Sequence, residues 1–301
     1  MDKLKGVFAA LLIPYKKDGS IDKESLKKFI DYNIEVSGVD GLYVNGSTGE
    51  AFLLSNNERK EILEIVAKHV NKRVPLIAQV GSLNVYEAIE QAKLAEELGF
   101  DAVSAVTPFY YKFSLDQILD YYREIKKATK LPLIAYYIPI LSGVNFSMEA
   151  FEKLFAIEGV EGVKFTATDL YTLERIKAKF PNKLVYYGFD EQQLSASIYN
   201  IDGFIGSTFN VNAKKAKQIF ELVKRNKNKE ALALQKDVND FIDIVLANGL
   251  YAILKEIIRQ HYHLDEVFCR LPMTQSISQY ADKAKEIKER FLENDYSCKC
   301  S

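Results

Sequence analysis

Cysteine is scarce in this chain of 301 residues, and its scarcity excludes a disulfide framework. The three cysteines are Cys269, Cys298 and Cys300, too few for the paired bridges that hold small secreted domains together. The last two stand in a polar C-terminal stretch, residues 294–301, where no histidine is near, so we expect a disordered tail rather than a metal site. This cysteine usage is typical of a reducing cytosol, and we expect a cytoplasmic protein.

Histidine is equally scarce, which weighs against two kinds of active site. The three histidines are His69, in an amphipathic helical pattern, and His261 and His263, near the end of a late helix. A histidine metal cluster or a Ser-His-Asp triad is therefore not expected. No Gly-x-Gly-x-x-Gly follows the first apolar run, and no Gly-Lys-Ser/Thr closes a glycine-rich loop. The sequence predicts neither a metal nor a cofactor.

The chain also lacks an excess of charge of one sign and long apolar runs. A net charge of -1, with Lys and Glu interspersed along helical segments, leaves no electrostatic footprint for nucleic acid or an anionic membrane. No apolar run approaches the roughly 20 residues of a membrane-spanning helix. The run 6–13 follows Lys3 and Lys5 and imitates a secretory leader, but Pro14 comes next without a small-x-small cleavage site. A first β-strand explains this run better, and we expect a soluble protein.

What the chain does have is a regular alternation of apolar runs of strand length with segments of helical period. The eight strand candidates are residues 7–13, 41–44, 75–80, 102–106, 133–138, 160–165, 184–187 and 203–205, and seven helices separate them. Capping boxes are predicted at Ser55-x-x-Glu58, Asn84-x-x-Glu87 and Ser114-x-x-Gln117. Strands rich in Val, Ile and Leu, each followed by a helix, predict an α/β fold with a parallel sheet buried on both faces. A (β/α)8 TIM barrel is the simplest closure and is preferred to a doubly wound sheet.

Beyond the eighth strand, the chain continues with three more amphipathic helical patterns, at residues 231–247, 250–262 and 278–292. These extra C-terminal helices form an appendix that could cover one side of the barrel or build a subunit contact. No linker-like composition separates them from the barrel. We predict a single domain over residues 1–293, with the barrel at about 1–227 and the helical appendix at about 228–293.

Lys164 is the only charge in the run Gly162-Val163-Lys164-Phe165, a pattern typical of a buried strand. An ammonium carried into apolar surroundings loses its hydration, which favours the neutral and nucleophilic amine. Lysines that form Schiff bases arise in this way. A lysine taken alone is more often one that extends from a strand end to water, so both interpretations stay open at this point.

The second strand candidate runs directly into Gly46-Ser47-Thr48-Gly49-Glu50. Glycines beside two hydroxyl residues allow backbone N–H groups and two O–H groups to converge on an anion such as a carboxylate. The alternative is a plain turn between a strand and a helix, because a glycine-rich pentapeptide alone is a weak signal. In a barrel this loop would lie at the carboxyl ends of the strands, where active sites are found.

The fifth strand candidate ends in Tyr136-Tyr137-Ile138-Pro139. Neighbouring strand residues point to opposite faces, so only one of the two tyrosines can face the barrel interior. A phenol there can transfer protons if a nearby ammonium or iminium stabilises the phenolate. Ordinary core packing is the alternative for such a pair.

In combination and order, Gly-Ser-Thr-Gly-Glu at 46–50, Tyr-x-Ile-Pro at 136–139 and Val-Lys-Phe-Thr at 163–166 resemble motifs of the N-acetylneuraminate lyase and dihydrodipicolinate synthase family of class I aldolases. The resemblance covers nearly the whole chain. It implies the TIM barrel fold, a covalent imine between Lys164 and the substrate in place of a cofactor, and a homotetramer.

Within the family the chain is more similar to the lyase branch. Synthases place an arginine two residues after the proline of Tyr-x-x-Pro, and here that position holds Leu141. The segment Gly188-Phe189-Asp190-Glu191 resembles the lyase segment that holds a polyhydroxylated sugar tail, although such acids alone are ordinary at a helix start. Lyases commonly read Tyr-Asn-Ile-Pro, so Tyr137 departs from the pattern and the catalytic role falls to Tyr136 by motif position.

The resemblance implies reversible cleavage of N-acetylneuraminate, a sialic acid, to N-acetylmannosamine and pyruvate. The resemblance implies that Lys164 forms the imine, that Tyr136 transfers protons and that Tyr110 is a proton relay at a subunit contact. It implies that Ser47 and Thr48 bind the substrate carboxylate and that Thr166 binds the imine region. The residues that it implies for the hydroxyl groups of the aldehyde are Gly188, Asp190, Glu191 and Ser207. Two alternatives remain. One is another pyruvate-dependent aldolase, either dihydrodipicolinate synthase or an aldolase for 2-keto-3-deoxy sugar acids, and the other is a non-catalytic sugar-acid binding barrel.

Overall fold

The structure is a computed structural model that describes residues 1–274 and 277–292. Eight strands form a closed parallel barrel in which neighbours in the chain are neighbours in the sheet and β1 pairs with β8. The strands are β1 Gly6–Ala10, β2 Gly41–Val44, β3 Leu76–Gln79, β4 Ala102–Val106, β5 Leu133–Tyr137, β6 Val160–Phe165, β7 Leu184–Tyr187 and β8 Gly203–Gly206. The predicted (β/α)8 barrel is confirmed.

Helices connect the strands and cover the barrel. The α-helices are α1 Lys23–Asp31, α2 Asn56–Val70, α3 Val85–Glu97, α4 Leu115–Lys127, α5 Pro139–Ser142, α6 Met148–Phe155, α7 Leu170–Lys179, α8 Gln193–Ser197, α9 Phe209–Lys224, α10 Asn228–Ala247, α11 Leu250–Tyr262 and α12 Ala281–Ile287. Short 3-10 segments lie at Asp2–Leu4, Ser47–Gly49, Ala51–Leu53, Asp190–Gln192 and Ser278–Tyr280, and π-helical turns at Tyr32–Ser37 and Lys288–Leu292. Within residues 1–274 and 277–292, no helix has the length and apolar character to cross a membrane.

The ends of several strands and the cap of one helix differ from the sequence prediction. Strand β1 ends at Ala10, earlier than predicted, because the Leu12 N–H donates to the side chain of Asn210 at 3.1 Å instead of to a strand. The capping boxes of α2 and α4 are confirmed, but the one predicted for α3 is not formed. There the Ser82 hydroxyl donates to the Glu87 carboxylate at 2.9 Å. This hydrogen bond takes the place of the one that a capping box would form between Glu87 and the N–H of the N-cap residue.

Alternate strand residues divide the core into an interior and an outer layer. Tyr43, Tyr136 and Tyr186 share the buried cluster inside the barrel. Tyr137 and Phe165 belong instead to the cluster between the barrel and its surrounding helices. The prediction that only one residue of the Tyr136-Tyr137 pair faces the interior is confirmed, and Tyr136 is that residue.

The three helices predicted beyond the barrel are present as α10, α11 and the stretch around α12. Their buried cluster includes Val238, Ile253 and Ile287, together with Phe29 of α1 and Ile219 of α9. The appendix therefore packs against the side of the barrel formed by α1 and α9. The extent of the single domain, 1–293, stays a prediction, and the tail predicted at 294–301, with Cys298 and Cys300, lies outside the described residues.

Candidate active site

Lys164 lies in β6 with its side chain inside the barrel, and only 5% of the residue is exposed. Tyr136 pairs with it across β5 and β6. The Lys164 Nζ atom lies 4.0 Å from the centre of the Tyr136 ring and 4.7 Å from the centre of the Tyr43 ring. The amine is thus held between two aromatic faces near the carboxyl ends of the strands.

Lys164 differs from the other buried lysines in its charge environment. Lys255 pairs with Glu50, and Lys215 pairs with Asp237. Lys164 makes no ion pair with any residue in 1–274 or 277–292, although it is buried as they are, with an exposure between that of Lys255 and that of Lys215. Lys164 is therefore a buried amine that no carboxylate engages in an ion pair, and a lysine amine is the group that forms imines with carbonyl compounds.

The Gly46–Glu50 loop lies beside the loop that follows β8. The hydroxyl groups of Thr48 and Ser207 are 2.7 Å apart and share a hydrogen bond. The N–H groups of Gly49 and Glu50 are satisfied within the loop, by the carbonyl oxygens of Gly46 and Ser47. Those of Ser47 and Thr48 donate to no group in the part of the chain that the structure describes. Two backbone donors therefore lie beside the hydroxyls in this loop, and the binding of a carboxylate there stays a prediction.

Thr166 follows Lys164 by two residues and lies on the same face of the chain. Its N–H donates to the Tyr137 carbonyl oxygen at 2.8 Å, whereas its buried hydroxyl oxygen has no hydrogen-bond partner among the described residues. Gly188 makes room for this hydroxyl, since a Cβ at Gly188 would lie 2.0 Å from the Thr166 Oγ1 atom. A buried hydroxyl without a partner is costly unless a ligand supplies one.

Asp190 is buried at the start of the 3-10 segment after β7. Its Oδ2 atom accepts from the Thr208 N–H at 2.9 Å and from the Thr208 hydroxyl at 2.6 Å. Burial raises the pKa of Asp190 to about 6, against the lowering effect of the Thr208 hydrogen bonds and of the Lys164 charge. A Cβ at Gly206 would lie 1.7 Å from the other carboxylate oxygen, so a glycine at the end of β8 admits this side chain. Glu191 is half-buried next to it.

The structure brings together most, but not all, of the predicted site residues. Lys164 and Tyr136 are in contact, as are Thr48 and Ser207, and Thr166 lies against Gly188. Ser47 is partly exposed in its loop. Tyr110 is 82% exposed, with its ring centre 5.0 Å from that of Tyr111, and lies outside the buried group around Lys164.

Two aromatic residues of the site were missed by the sequence reasoning. Tyr43 of β2 faces Lys164 and donates its hydroxyl to Ser104 at 3.0 Å. Strand alternation offers a signal for it, because every second residue of β2 faces the barrel interior. Tyr251 comes from α11. Burial, followed by the electrostatic influence of Tyr136 and Glu50, raises its pKa to about 12. No local pattern in the sequence indicates that electrostatic coupling.

The described residues contain no group of three or more His, Cys, Asp and Glu side chains that could hold a metal ion. The side chains that the site does offer are an amine, phenols, hydroxyls and two carboxyl groups. Such a set suits imine formation with a carbonyl compound and proton transfer around the imine.

The Dihydrodipicolinate synthetase family model matches residues 3–290. The chain belongs to the dihydrodipicolinate synthetase family. The family resemblance inferred from three short motifs is thus confirmed over almost the entire sequence.

Relatives within this family are similar over their full length. The chain is 51% identical to an N-acetylneuraminate lyase from Histophilus somni over 293 residues, covering 97% of this chain and 100% of the relative. The crystal structure of the Clostridium difficile protein CdNal in complex with mannosamine is 48% identical, with a TM-score of 0.92, covering 96% of this chain and 99% of that one. The N-acetylneuraminate lyase from Fusobacterium nucleatum complexed with pyruvate is 47% identical, with a TM-score of 0.91, covering 97% and 98% of the two chains.

Proposed function

We propose that the chain is a class I aldolase that cleaves N-acetylneuraminate reversibly to N-acetylmannosamine and pyruvate through an imine at Lys164. One observation carries the proposal: a buried lysine without an ion pair among the described residues lies 4.0 Å from the Tyr136 ring. The high identity to N-acetylneuraminate lyases supports the choice of substrate. The pyruvate and mannosamine bound by relatives are the kinds of molecule that the two halves of this substrate yield.

The reaction begins with attack of the neutral Lys164 amine on the C2 ketone of open-chain N-acetylneuraminate. Tyr136 donates a proton to the departing hydroxyl of the carbinolamine, which leaves as water, and an iminium and a phenolate result. The two opposite charges stabilise each other because Lys164 and Tyr136 lie in contact. The iminium then serves as the electron sink.

Carbon–carbon cleavage follows from the same pair of charges. The Tyr136 phenolate accepts the proton of the C4 hydroxyl, the C3–C4 bond breaks, and its electrons neutralise the iminium to form an enamine. N-acetylmannosamine leaves as the aldehyde. Tyr136 returns its proton to C3 of the enamine, and hydrolysis by water releases pyruvate and restores the Lys164 amine and the Tyr136 phenol.

The other predicted residues bind the substrate in this proposal. Ser47 and Thr48 hold the carboxylate with their hydroxyls and N–H groups, and the partnerless hydroxyl of Thr166 takes the imine region. The hydroxyl groups of the sugar tail are held by the Gly188 backbone, Asp190, Glu191 and Ser207. We propose a homotetramer in which Tyr110 serves a neighbouring subunit's site as a proton relay, and a cytoplasmic location.

The alternative aldolases differ in the residues that they would require in the site. A synthase would need a cation to hold a second carboxylate near α5, and Leu141 at that position is 66% exposed and apolar. An aldolase for 2-keto-3-deoxy sugar acids would use the same imine, so only a comparison of substrates separates it. A non-catalytic binding barrel would produce no pyruvate at all.

The test combines turnover with trapping. Wild-type protein is given N-acetylneuraminate, a 2-keto-3-deoxy sugar acid, or pyruvate with aspartate semialdehyde, and each reaction is followed by its products. Borohydride is then added with pyruvate, and the reduced adduct is located by peptide mass mapping. We expect the fastest turnover with N-acetylneuraminate and the label on Lys164.

Two variants complete this test. Lys164→Ala should lose turnover and label, whereas Lys177→Ala, which removes an ion pair with Asp202 at the opposite end of the barrel, should retain both. A label on another lysine, or turnover by Lys164→Ala, contradicts the proposed mechanism. Faster turnover of another substrate overturns the choice of N-acetylneuraminate.

A further inference from the structure

Glu50 closes the carboxylate-binding loop and is tied to the C-terminal appendix. Its backbone is left-handed, with a φ of 58°, and its side chain is fully buried. The Oε1 atom accepts from the Lys255 Nζ atom of α11 at 2.5 Å, and the Oε2 atom accepts from the Arg270 N–H at 2.6 Å. Both carboxylate oxygens are thus held by residues more than two hundred positions later in the chain.

Lys255 holds more than the carboxylate. Its Nζ atom also donates to the Phe268 carbonyl oxygen at 3.1 Å and lies 4.7 Å from the centre of the Tyr15 ring. The Tyr15 hydroxyl donates to the Gly49 carbonyl oxygen at 2.8 Å. The last two residues of the loop are therefore fixed by one buried group of contacts in which Lys255 is the central donor.

A second tie joins the appendix to the segment after β7. Gln235 of α10 is buried and donates to the Asp190 carbonyl oxygen at 3.2 Å. Its amide oxygen accepts from the Leu194 N–H at 2.9 Å. One side chain thus spans the segment that begins with Asp190 and Glu191 and fixes its backbone from the side opposite the barrel.

We propose that the appendix positions the two halves of the substrate site separately, Lys255 acting on the Ser47-Thr48 loop and Gln235 acting on the Asp190-Glu191 segment. This inference rests on the proposed function. Neither residue is catalytic, since each acts through a loop that holds the substrate. Lys255 determines the affinity of the site for the 2-oxo acid group, which both the sugar acid and pyruvate contain. Gln235 determines the affinity of the site for the hydroxylated tail, which pyruvate lacks.

These two residues can position the loops because the Lys255–Glu50 ion pair and the Gln235 hydrogen bonds are directional contacts. A buried ion pair contributes little net stability compared with apolar packing, but it fixes its partners in a single arrangement. A loop that binds substrate must be held to within a fraction of an ångström, and a displacement of about 1 Å costs up to a hundredfold in rate. Buried hydrogen-bonded contacts between distant segments give this precision where a flexible loop does not.

The test uses two ligands and two variants. The first readout is the pyruvate concentration that gives half-maximal borohydride labelling of Lys164, and the second is the KM for N-acetylneuraminate. In Lys255→Met the half-saturating pyruvate concentration should rise about tenfold, and KM should rise with it. In Gln235→Leu the pyruvate labelling should match wild type while KM alone rises about tenfold.

Lys215→Met is the matched control, because it removes another ion pair of a buried lysine, between α9 and α10. It should leave both readouts at wild-type values. If Lys255→Met does not fold by circular dichroism, the double variant Glu50→Gln/Lys255→Met, which leaves no unpaired charge, takes its place with the same expected rise.

The proposal is overturned if folded Lys255 variants label at the wild-type pyruvate concentration, or if Gln235→Leu weakens pyruvate labelling as much as it raises KM. A change in thermal stability without a change in either readout also contradicts it, because that is the signature of a purely structural role. Failure of the proposed function is a different outcome, since wild-type protein would then take no label at Lys164.

Discussion

The Lys164 Nζ atom lies 4.0 Å from the centre of the Tyr136 ring, and the two residues pair across adjacent strands of the barrel. Strand register therefore fixes the distance between amine and phenol, since neither side chain is carried on a mobile loop. Sites built on strands hold their groups more accurately than sites built on loops. The proposed exchange of charge between an iminium and a phenolate depends on that fixed distance.

Adjacent tyrosines give a matched pair of substitutions. Tyr136→Phe should lower kcat by about a hundredfold or more with little change in KM, because it removes a proton-transfer group and leaves the ring in place. Tyr137→Phe removes only a hydroxyl that accepts from the Phe146 N–H at 3.4 Å, outside the barrel interior. Steady-state kinetics with N-acetylneuraminate measure both effects.

We expect Tyr137→Phe to keep kcat within about twofold of wild type. Equal losses in the two variants would show that packing in β5, rather than the Tyr136 hydroxyl, limits the reaction.

Two buried lysines should respond in opposite ways to the same substitution. Lys164→Met removes a buried polar amine that has no ion pair among the described residues, so the free energy of unfolding should stay the same or increase. Lys255→Met leaves the Glu50 carboxylate buried without its cation and should lower that free energy by about 3–5 kcal/mol. Urea denaturation of the three proteins at neutral pH provides the comparison. A large loss of stability in Lys164→Met would mean that its ammonium is stabilised in the resting protein.

The raised pKa of Asp190 makes a prediction about stability and pH. Burial disfavours the charged form and raises the pKa of this carboxyl in the folded protein from its ordinary value of 3.8 to about 6. The folded state then binds the proton more tightly than the unfolded state, so the cost of burying the ionised group appears as pH rises through this interval and is fully present above it.

Asp190→Asn removes that cost while an amide oxygen can still accept from Thr208. We expect the variant to be more stable than wild type at about pH 8 and to lose the advantage as the pH falls to about 4. Denaturant titrations at both pH values measure the difference. An advantage that is independent of pH would assign the effect to packing and not to ionisation.

The close fit of Thr166 and Gly188 can be tested with a double-mutant cycle. Gly188→Ala places a methyl group 2.0 Å from the Thr166 Oγ1 atom and should lower kcat/KM by about tenfold or more, since it displaces the hydroxyl from the imine region. Thr166→Ala loses the same hydroxyl. In the Thr166→Ala background, Gly188→Ala should therefore cost much less than in wild type, which is a coupling between neighbours. Additive losses would mean that the two residues act independently.

The fold was predictable because the signals for it are local and repeated. Strands such as β2 and β6 are short apolar runs, and capping boxes such as that at Ser55 mark where helices begin. Each signal depends only on neighbouring residues, and eight repeats of the same unit leave few ways to close a sheet. The prediction failed at α3, where Ser82 competes for the Glu87 carboxylate, because that choice is made by hydrogen-bond geometry that sequence spacing does not define.

The position of the buried Lys164–Tyr136 pair was predictable for a related reason. Lys164 stands out as a charge inside an apolar strand, and alternation along β5 places Tyr136 and Tyr137 on opposite faces. These are rules of strand geometry that hold before any tertiary contact is known. Tyr43 follows the same rule and was open to the same reasoning.

The residues that come from the appendix were not predictable. Lys255 lies in an amphipathic helix whose polar and apolar positions resemble those of many surface helices, and nothing near it indicates that it reaches Glu50. Gln235 likewise looks like a solvated helical residue. Contacts between positions so far apart depend on how the helices dock on the barrel, which is decided by the packing of the whole cluster.

The order of synthesis determines when the Glu50–Lys255 contact can form. The two residues are 205 positions apart. A ribosome that adds about 5–20 residues each second would release Lys255 some 10–40 s after Glu50. In the last part of that interval, once residue 206 has been added, the nascent chain contains all eight strands and Lys164, yet the carboxylate of Glu50 still lacks its cation. We therefore expect competence for catalysis to be acquired late, after barrel closure, when the final helices have left the exit tunnel and docked.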